Sequence, residues 1–232
     1  MNNEHFKRAL FILSVLTLGA AAGMGAVNSG SGRNMSLSIT AAAASGLLAM
    51  AAFSGRIKEP HYITLVSVLS ALSVTGRIVF APFAGFKPCT AVIITAGMCL
   101  GCDAGFITGA LTALVSNFYF GQGSWTLYQM LAWGIVGIAA GLSGKLLQKS
   151  RAALLIFAAL SGGVYSLIMD VFSTFWADGY FNMLRFAALT ASSLPLTITY
   201  AVSNVVFIAV LSDRLCFTVL RIKNKYGIGR KI

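Results

Sequence analysis

Acidic residues are scarce in this chain. Asp and Glu together number 6 in 232 residues, against 17 Lys and Arg, which leaves a net charge of +11. Only 10% of residues are charged, where a soluble domain carries about a quarter. That shortage argues against a water-soluble fold. Histidine is sparse too, with His5 near the start and His61 in a short polar loop. An intramembrane serine protease needs a buried His beside its Ser, and a metalloprotease needs His or acidic ligands, so both readings lose support. The cysteines Cys89, Cys99, Cys102 and Cys216 show no paired zinc spacing. Cys99-x-x-Cys102 closes an apolar run without a nearby histidine, a poor setting for a metal or redox centre. No Gly-x-x-x-x-Gly-Lys-Ser/Thr occurs: Gly144-Lys145 is followed by Leu146 and lacks the upstream Gly. The chain therefore has no P-loop for ATP. Apolar/polar alternation of period two is missing as well, which excludes a transmembrane β-barrel.

Apolar residues are abundant, at 57%. They fall in runs near the roughly twenty residues that span a bilayer. The pattern predicts an all-α integral membrane protein with eight spans. The first run, Ala9 to Val27, follows Lys7 and Arg8. It reads as a signal peptide or as a retained helix; its length and Gly19-x-x-x-Gly23 favour retention. Leu37 to Phe53 is the second run, small-faced and Ala-rich. Tyr62 to Phe80 is the third, with Arg77 near its end. Ala81 to Pro88 follows as a stiff non-helical segment, because two prolines flank a glycine. Cys89 to Leu100 is short for an upright span. Ala104 to Phe120 and Leu127 to Leu147 come next. Gly97, Gly101, Gly105 and Gly109 repeat every fourth residue, and Gly134, Gly137, Gly141 and Gly144 form a second small stripe. Such stripes let helices approach closely. The seventh run, Ala152 to Phe175, contains Asp170, the only acid inside an apolar run. Asp170 reads either as a capping or Arg185-pairing residue near an interface or as a proton relay. The eighth run is Phe186 to Leu211, with Pro195 and Asn204. A basic tail follows Asp213.

Lys and Arg divide unevenly between the two sides. With both ends inside, Lys7, Arg8, Arg56, Lys58, Lys145, Lys149, Arg151 and the C-terminal cations lie inside. Arg33, Arg77, Lys87 and Arg185 lie outside. This bias predicts cytoplasmic termini by the positive-inside rule and explains the positive charge without nucleic acid.

One stretch faces the exterior in that arrangement, Asn117-Phe-Tyr-Phe-Gly-Gln-Gly-Ser-Trp-Thr-Leu-Tyr-Gln-Met130. Its rings suit a membrane–water boundary, which reads either as an ordinary aromatic belt or as the mouth of a ligand pocket. Asn117 and Gln129 lie just inside the apolar layer, where an amide needs a partner or a ligand.

From Leu72 to Leu142 the chain resembles the substrate-binding subunit, or S component, of an energy-coupling factor (ECF) vitamin transporter. The likeness is carried by Gly76-Arg77, Gly85-Phe-Lys-Pro88, Ala104-Gly-Phe106, Gly109-Ala-Leu111 and above all Phe120-Gly-Gln-Gly-Ser-Trp-Thr-Leu-Tyr-Gln-Met130. The resemblance implies a six-helix core over about 62–215. An N-terminal helical pair and cytoplasmic loop over 1–61 would precede it, and a basic cytoplasmic tail over 216–232 would follow. It implies a multi-pass plasma-membrane protein that captures a vitamin outside and is not itself an enzyme. Its partners would be a transmembrane coupling subunit and two cytoplasmic ATPases, with no cofactor or metal. The family's small-x-x-x-small contact for the coupling subunit corresponds here to Ser67 and Ala71, which could equally pack within this chain. The Gly-Gln-Gly-x-Trp-Thr stretch is similar to that of S components assigned to cobalamin and related corrinoids.

The candidate substrate contacts are Arg77, Lys87, Asn117, Tyr119, Gln122, Trp125, Gln129 and Trp176. Aromatics offer flat apolar contact, amides orient a ligand, and Arg77 or Lys87 can pair an anionic group. A stand-alone secondary transporter is the main alternative. A membrane enzyme is the weaker one, since no catalytic constellation is visible.

Overall fold

The computed structural model describes residues 60–228. The first two expected spans, and with them the total of eight, lie outside the described residues. Among these residues every regular element is a helix: α1 (Pro60–Val79), α2 (Cys89–Leu100), α3 (Cys102–Phe120), α4 (Trp125–Leu142), α5 (Gly144–Lys149), α6 (Arg151–Asp178) and α7 (Met183–Lys225). Helices α1, α4, α6 and α7 are each long and apolar enough to cross a membrane. The fold is that of an all-α integral membrane protein.

Helix α2 is the axis. It has 12 residues, all of them buried, and is only about 18 Å long at 1.5 Å per residue. A helix of that length does not cross the roughly 30 Å hydrocarbon core. It has no need to, because α1, α3, α4 and α7 enclose it. One residue, Gly101, joins it to α3. Its φ of 115° is open to glycine and strained for other residues. The backbone bonds Gly101 N–H to Gly97 O (2.9 Å) and Gly105 N–H to Gly101 O (3.1 Å) keep the chain satisfied through the corner.

The two glycine stripes meet each other. A Cβ on Gly105 would stand 2.3 Å from Gly137 O, and one on Gly109 2.5 Å from Trp133 O. A Cβ on Gly97 would also stand 2.3 Å from Gly137 O, and one on Gly141 2.4 Å from Cys102 N. Helices α2, α3 and α4 are thus packed backbone to backbone.

Two expected segments differ in extent. The sixth apolar run does not form one helix to Leu147; it turns at Ser143 and resumes as α5. Gly141 and Gly144 weaken helix propagation, and Gly144 lies against Met98 O, where a Cβ would come to 2.8 Å. The last run continues as helix through Asp213 to Lys225. Beyond it, Ile228 joins Val219 and Tyr62 in the apolar core, and the His61 and Tyr226 rings stack at 4.4 Å. The 43 residues of α7 extend about 65 Å. Cys99 does not face Cys102: its thiol meets Cys216 of α7 at 2.8 Å.

Helices α6 and α7 form a long hairpin. Asp170 accepts from Ser193 Oγ at 3.0 Å, whereas Arg185 pairs with Asp178 at 2.9 Å. The Arg185 pairing considered for Asp170 is therefore taken by Asp178, the last residue of α6. Ser166 and Thr197 share a 2.6 Å bond, and Asn204 Nδ2 donates to Ala158 O at 3.2 Å.

Candidate substrate-binding site

The segment between α1 and α2 is clamped to α7. Phe80 and Phe86 both pack on Phe207, at 5.1 and 5.0 Å between centroids. Lys87 N–H donates to Ser203 Oγ at 2.8 Å, and Ser203 Oγ donates to Lys87 O at 3.2 Å. Gly85 takes a φ of 74°, and a Cβ there would lie 2.9 Å from Leu196. Pro88 lies on Gly76, where a Cβ would stand 2.6 Å away. The Gly76-Arg77 and Gly85-Phe-Lys-Pro88 motifs are therefore two halves of one contact.

Behind this segment lies a cavity of about 140 Å³, lined by Arg77, Lys87, Gln129, Trp133, Tyr165 and Tyr200 among others. Trp133 and Tyr165 are stacked, with centroids 5.1 Å apart and planes at 21°. Tyr200 meets Tyr165 edge-on at 5.3 Å. Gly85, Cys89, Thr90, Gly162 and Asn204 complete the lining. The wall thus combines aromatic faces with a few polar groups, as small-molecule sites do.

A hydrogen-bond chain holds the polar groups. Arg77 Nη1 donates to Ser116 Oγ, and to Asn117 Oδ1 at 2.8 Å. Asn117 Nδ2 donates to Gln129 Oε1 at 2.8 Å and to Thr126 Oγ1 at 2.9 Å. Gln129 Nε2 donates to Tyr165 OH at 3.1 Å. Thr126 Oγ1 donates to Gln122 Oε1 at 3.0 Å, and Gln122 Nε2 donates to Leu114 O at 2.8 Å. Asn117 is buried and its amide is fully engaged. The costly amides just inside the apolar layer are thus partnered with each other. Because Asn117 occupies Gln129 Oε1, Gln129 turns its NH₂ toward Tyr165 and the cavity.

The candidate contacts separate into three groups. Arg77, Lys87 and Gln129 line the cavity. Asn117 and Gln122 stand behind it, in the chain that orients Arg77 and Gln129. Tyr119, Trp125 and Trp176 are elsewhere. Tyr119 and Trp176 are exposed, and Trp125 covers Gly123, where a Cβ would come to 2.3 Å from its ring. Trp133, Tyr165, Tyr200 and Asn204 are absent from the sequence-based set. Trp133 follows Gln129 by four residues and Asn204 follows Tyr200 by four, so each pair shares a helix face. That spacing was the available signal.

Ser67 and Ala71 lie away from the cavity, exposed on α1. Together with Ser70, Val74, Thr75, Leu111 and Val115 they form a shallow groove of about 300 Å³.

Against known families, the description "ECF-type riboflavin transporter, S component" matches residues 58–219. The chain belongs to this family. It is an S component, the substrate-specific subunit of an ECF vitamin transporter, and S components are transport subunits rather than enzymes. Searches of curated proteins and of solved structures return no match. The matched span begins just before α1 and ends inside α7, so it takes in the cavity, its hydrogen-bond chain and the α1 groove. Membrane-crossing helices and this membership make the S component a multi-pass plasma-membrane protein.

Proposed function

We propose that this S component captures a vitamin with a flat heteroaromatic ring, of the flavin class, from the outer side of the membrane. The observation that carries the reading is the cavity itself. Its Trp133–Tyr165 stack offers planar contact, and Gln129 offers an oriented N–H donor to a ring carbonyl. The family description names riboflavin, which agrees in shape and hydrogen bonding. A corrinoid is the second candidate, suggested by the Gly-Gln-Gly-Ser-Trp-Thr stretch. That stretch stands off the cavity, and a corrinoid is far bulkier than the space available. A cavity of about 140 Å³ is smaller than the roughly 300–1,000 Å³ of ligand pockets. Loading therefore requires the Ala81–Pro88 segment to part from α7, and a thin ring demands the least displacement.

In this reading the termini are cytoplasmic, and the partners are a transmembrane coupling subunit and two ATPases. The groove at Ser67 and Ala71 receives a helix of the coupling subunit, since small exposed side chains allow close approach. The absent P-loop is then supplied by the partners. The test is a titration of the detergent-purified chain with riboflavin and with cyanocobalamin, followed by uptake into vesicles. The expected result is flavin binding, no corrinoid binding at micromolar concentration, and no accumulation by the chain alone. Corrinoid binding without flavin binding would reverse the ligand assignment. Ion-driven accumulation by the chain alone would favour a secondary transporter.

A further inference from the structure

Phe120, the last residue of α3, is shared by two cations. Arg77 Cζ lies 4.5 Å from its ring centroid and Lys87 Nζ lies 4.6 Å from the same centroid. Arg77 also lies 4.9 Å from the Trp133 centroid. Both cations line the cavity, and no carboxylate does. Among the described residues the ion pairs are Arg151–Asp213 and Arg185–Asp178, so neither cavity cation has an acidic partner there. Burial, and then the neighbouring Arg77 guanidinium, pushes the Lys87 ammonium below its ordinary lysine range.

An aromatic face is a weak counter-charge. It supplies about 0.5–2 kcal/mol per cation, against several kcal/mol for taking one ion out of water. Two like charges on one ring are under-compensated. Their donors are also unspent. Arg77 uses only Nη1 for its protein hydrogen bonds. Among the described residues neither Nε nor Nη2 is sealed away unpaired; buried side-chain oxygens without a hydrogen-bond partner are found at Thr108, Ser124 and Thr190. Lys87 makes its hydrogen bonds to Ser203 through its backbone. The remaining N–H groups of Arg77 and the Lys87 ammonium therefore have the cavity as their accessible space. Asn117 and Ser116 hold the guanidinium in place, so the site is organised before a ligand arrives.

We infer that the cavity contains an anion subsite, in which Arg77 and Lys87 take a phosphate or carboxylate carried by the ligand. The anionic form of the nutrient is captured in preference to its neutral parent. Arg77 supplies a planar donor fork, and Lys87 a point charge on the segment that covers the cavity. An anion between them neutralises both cations and ties that segment to α1. A neutral ligand leaves the two charges opposed. The choice of probe rests on the flavin reading; the subsite rests on the two cations.

The experiment is a matched titration of the purified full chain with riboflavin and riboflavin 5′-phosphate, at constant ionic strength. The expected outcome is that the phosphate binds about 10-fold or more tightly, the discrimination of a charge-assisted hydrogen bond. Lys87→Gln and Arg77→Gln should each shrink that ratio; Lys87→Gln remains informative if Arg77→Gln does not fold. Equal or tighter binding of riboflavin would overturn the subsite and leave the flavin reading standing. Binding of neither flavin would remove the flavin reading. The subsite is then decided by the thermal midpoint in inorganic phosphate against chloride of equal ionic strength. A rise that Lys87→Gln abolishes sustains it, and no rise overturns it.

Discussion

The cavity has two walls that are built differently. On one side α2, α3 and α4 meet through glycine, with main chain against main chain at Gly97, Gly105, Gly109 and Gly137. On the other, α6 and α7 run side by side with mostly unburied surfaces. They are joined by one glycine contact, at Gly162, where a Cβ would stand 2.7 Å from Ala201 N, by the ion pairs Arg151–Asp213 and Arg185–Asp178, and by side-chain hydrogen bonds at Asp170–Ser193, Ser166–Thr197 and Ala158–Asn204. A glycine contact is a matter of shape, and any sliding produces overlap. A hydroxyl–hydroxyl bond is exchangeable and contributes about 1 kcal/mol. The first wall is therefore a fixed platform that presents Gln129 and Trp133. The second wall, with the Ala81–Pro88 segment fastened to it by Phe207 and Ser203, meets that platform through side chains such as the Trp133–Tyr165 stack and the Gln129–Tyr165 bond, and the hairpin is the side that can yield against it. Substrate loading should alter the position of α7 and this segment while α3 and α4 stay together.

The sharpest way to break this contrast is to fill one packed glycine of the platform and one open glycine of α6. Gly137→Leu should abolish a folded, monodisperse protein in detergent, as read by size-exclusion chromatography. Its Cβ would stand 2.2 Å from Gly105 backbone atoms, so the cost lies at or beyond the about 1–3 kcal/mol of ordinary overpacking. Gly163→Leu on α6 is the control. A Cβ there meets nothing within 4 Å, and the variant should elute and bind as the parent does. If both variants behave alike, the platform is not rigid in the sense argued.

A smaller effect is expected where the platform meets the cavity. Trp133→Ala should weaken flavin binding by about 1–3 kcal/mol, the range for one large apolar side chain, or roughly 5- to 150-fold. The same substitution removes the stack with Tyr165 and one of the rings beside Arg77. Tyr165→Phe separates these contributions: it keeps the ring and removes the hydroxyl that accepts from Gln129. An unchanged affinity in Trp133→Ala would place the ligand outside the cavity.

The platform was more legible in the sequence than the site it supports. Glycine every fourth residue is a one-dimensional pattern, and both stripes could be read before any contact was known. Which stripe faced which needed the fold. The polar site is less legible because its members come from four helices. Arg77, Asn117, Gln129 and Tyr165 are adjacent only after folding, and each alone resembles an interface residue or a snorkelling cation. The aromatic stretch around Trp125 drew attention for its density of rings and glycines. The structure uses much of it to close the corner between α3 and α4. Aromatics deep in apolar runs, such as the buried Trp133 and Tyr165 and the half-buried Tyr200, carry no comparable local flag. For Trp133 and Tyr200 the register with Gln129 and Asn204 was the hint; Tyr165 had none.

The smallest effect on binding should come from the rings off the cavity that most resemble ligand contacts. Trp176 stands in the last turn of α6, exposed, with its ring 5.9 Å from Phe172. Trp125 lies over Gly123 and packs with the Tyr128–Leu131–Phe172 cluster. Neither lines the cavity. Trp176→Ala should leave affinity within about twofold, because less than ~0.4 kcal/mol of contact is at stake. Trp125→Ala should lower the thermal midpoint, since it uncovers the α3–α4 corner, while affinity at a temperature well below the midpoint stays near that of the parent. Measuring both quantities on the same preparations distinguishes a supporting ring from a binding ring. A large loss of affinity in Trp176→Ala with an unchanged midpoint would move the binding site outward, to the ends of α6 and α7. The fixed-platform account of the cavity would then no longer describe where the substrate is held.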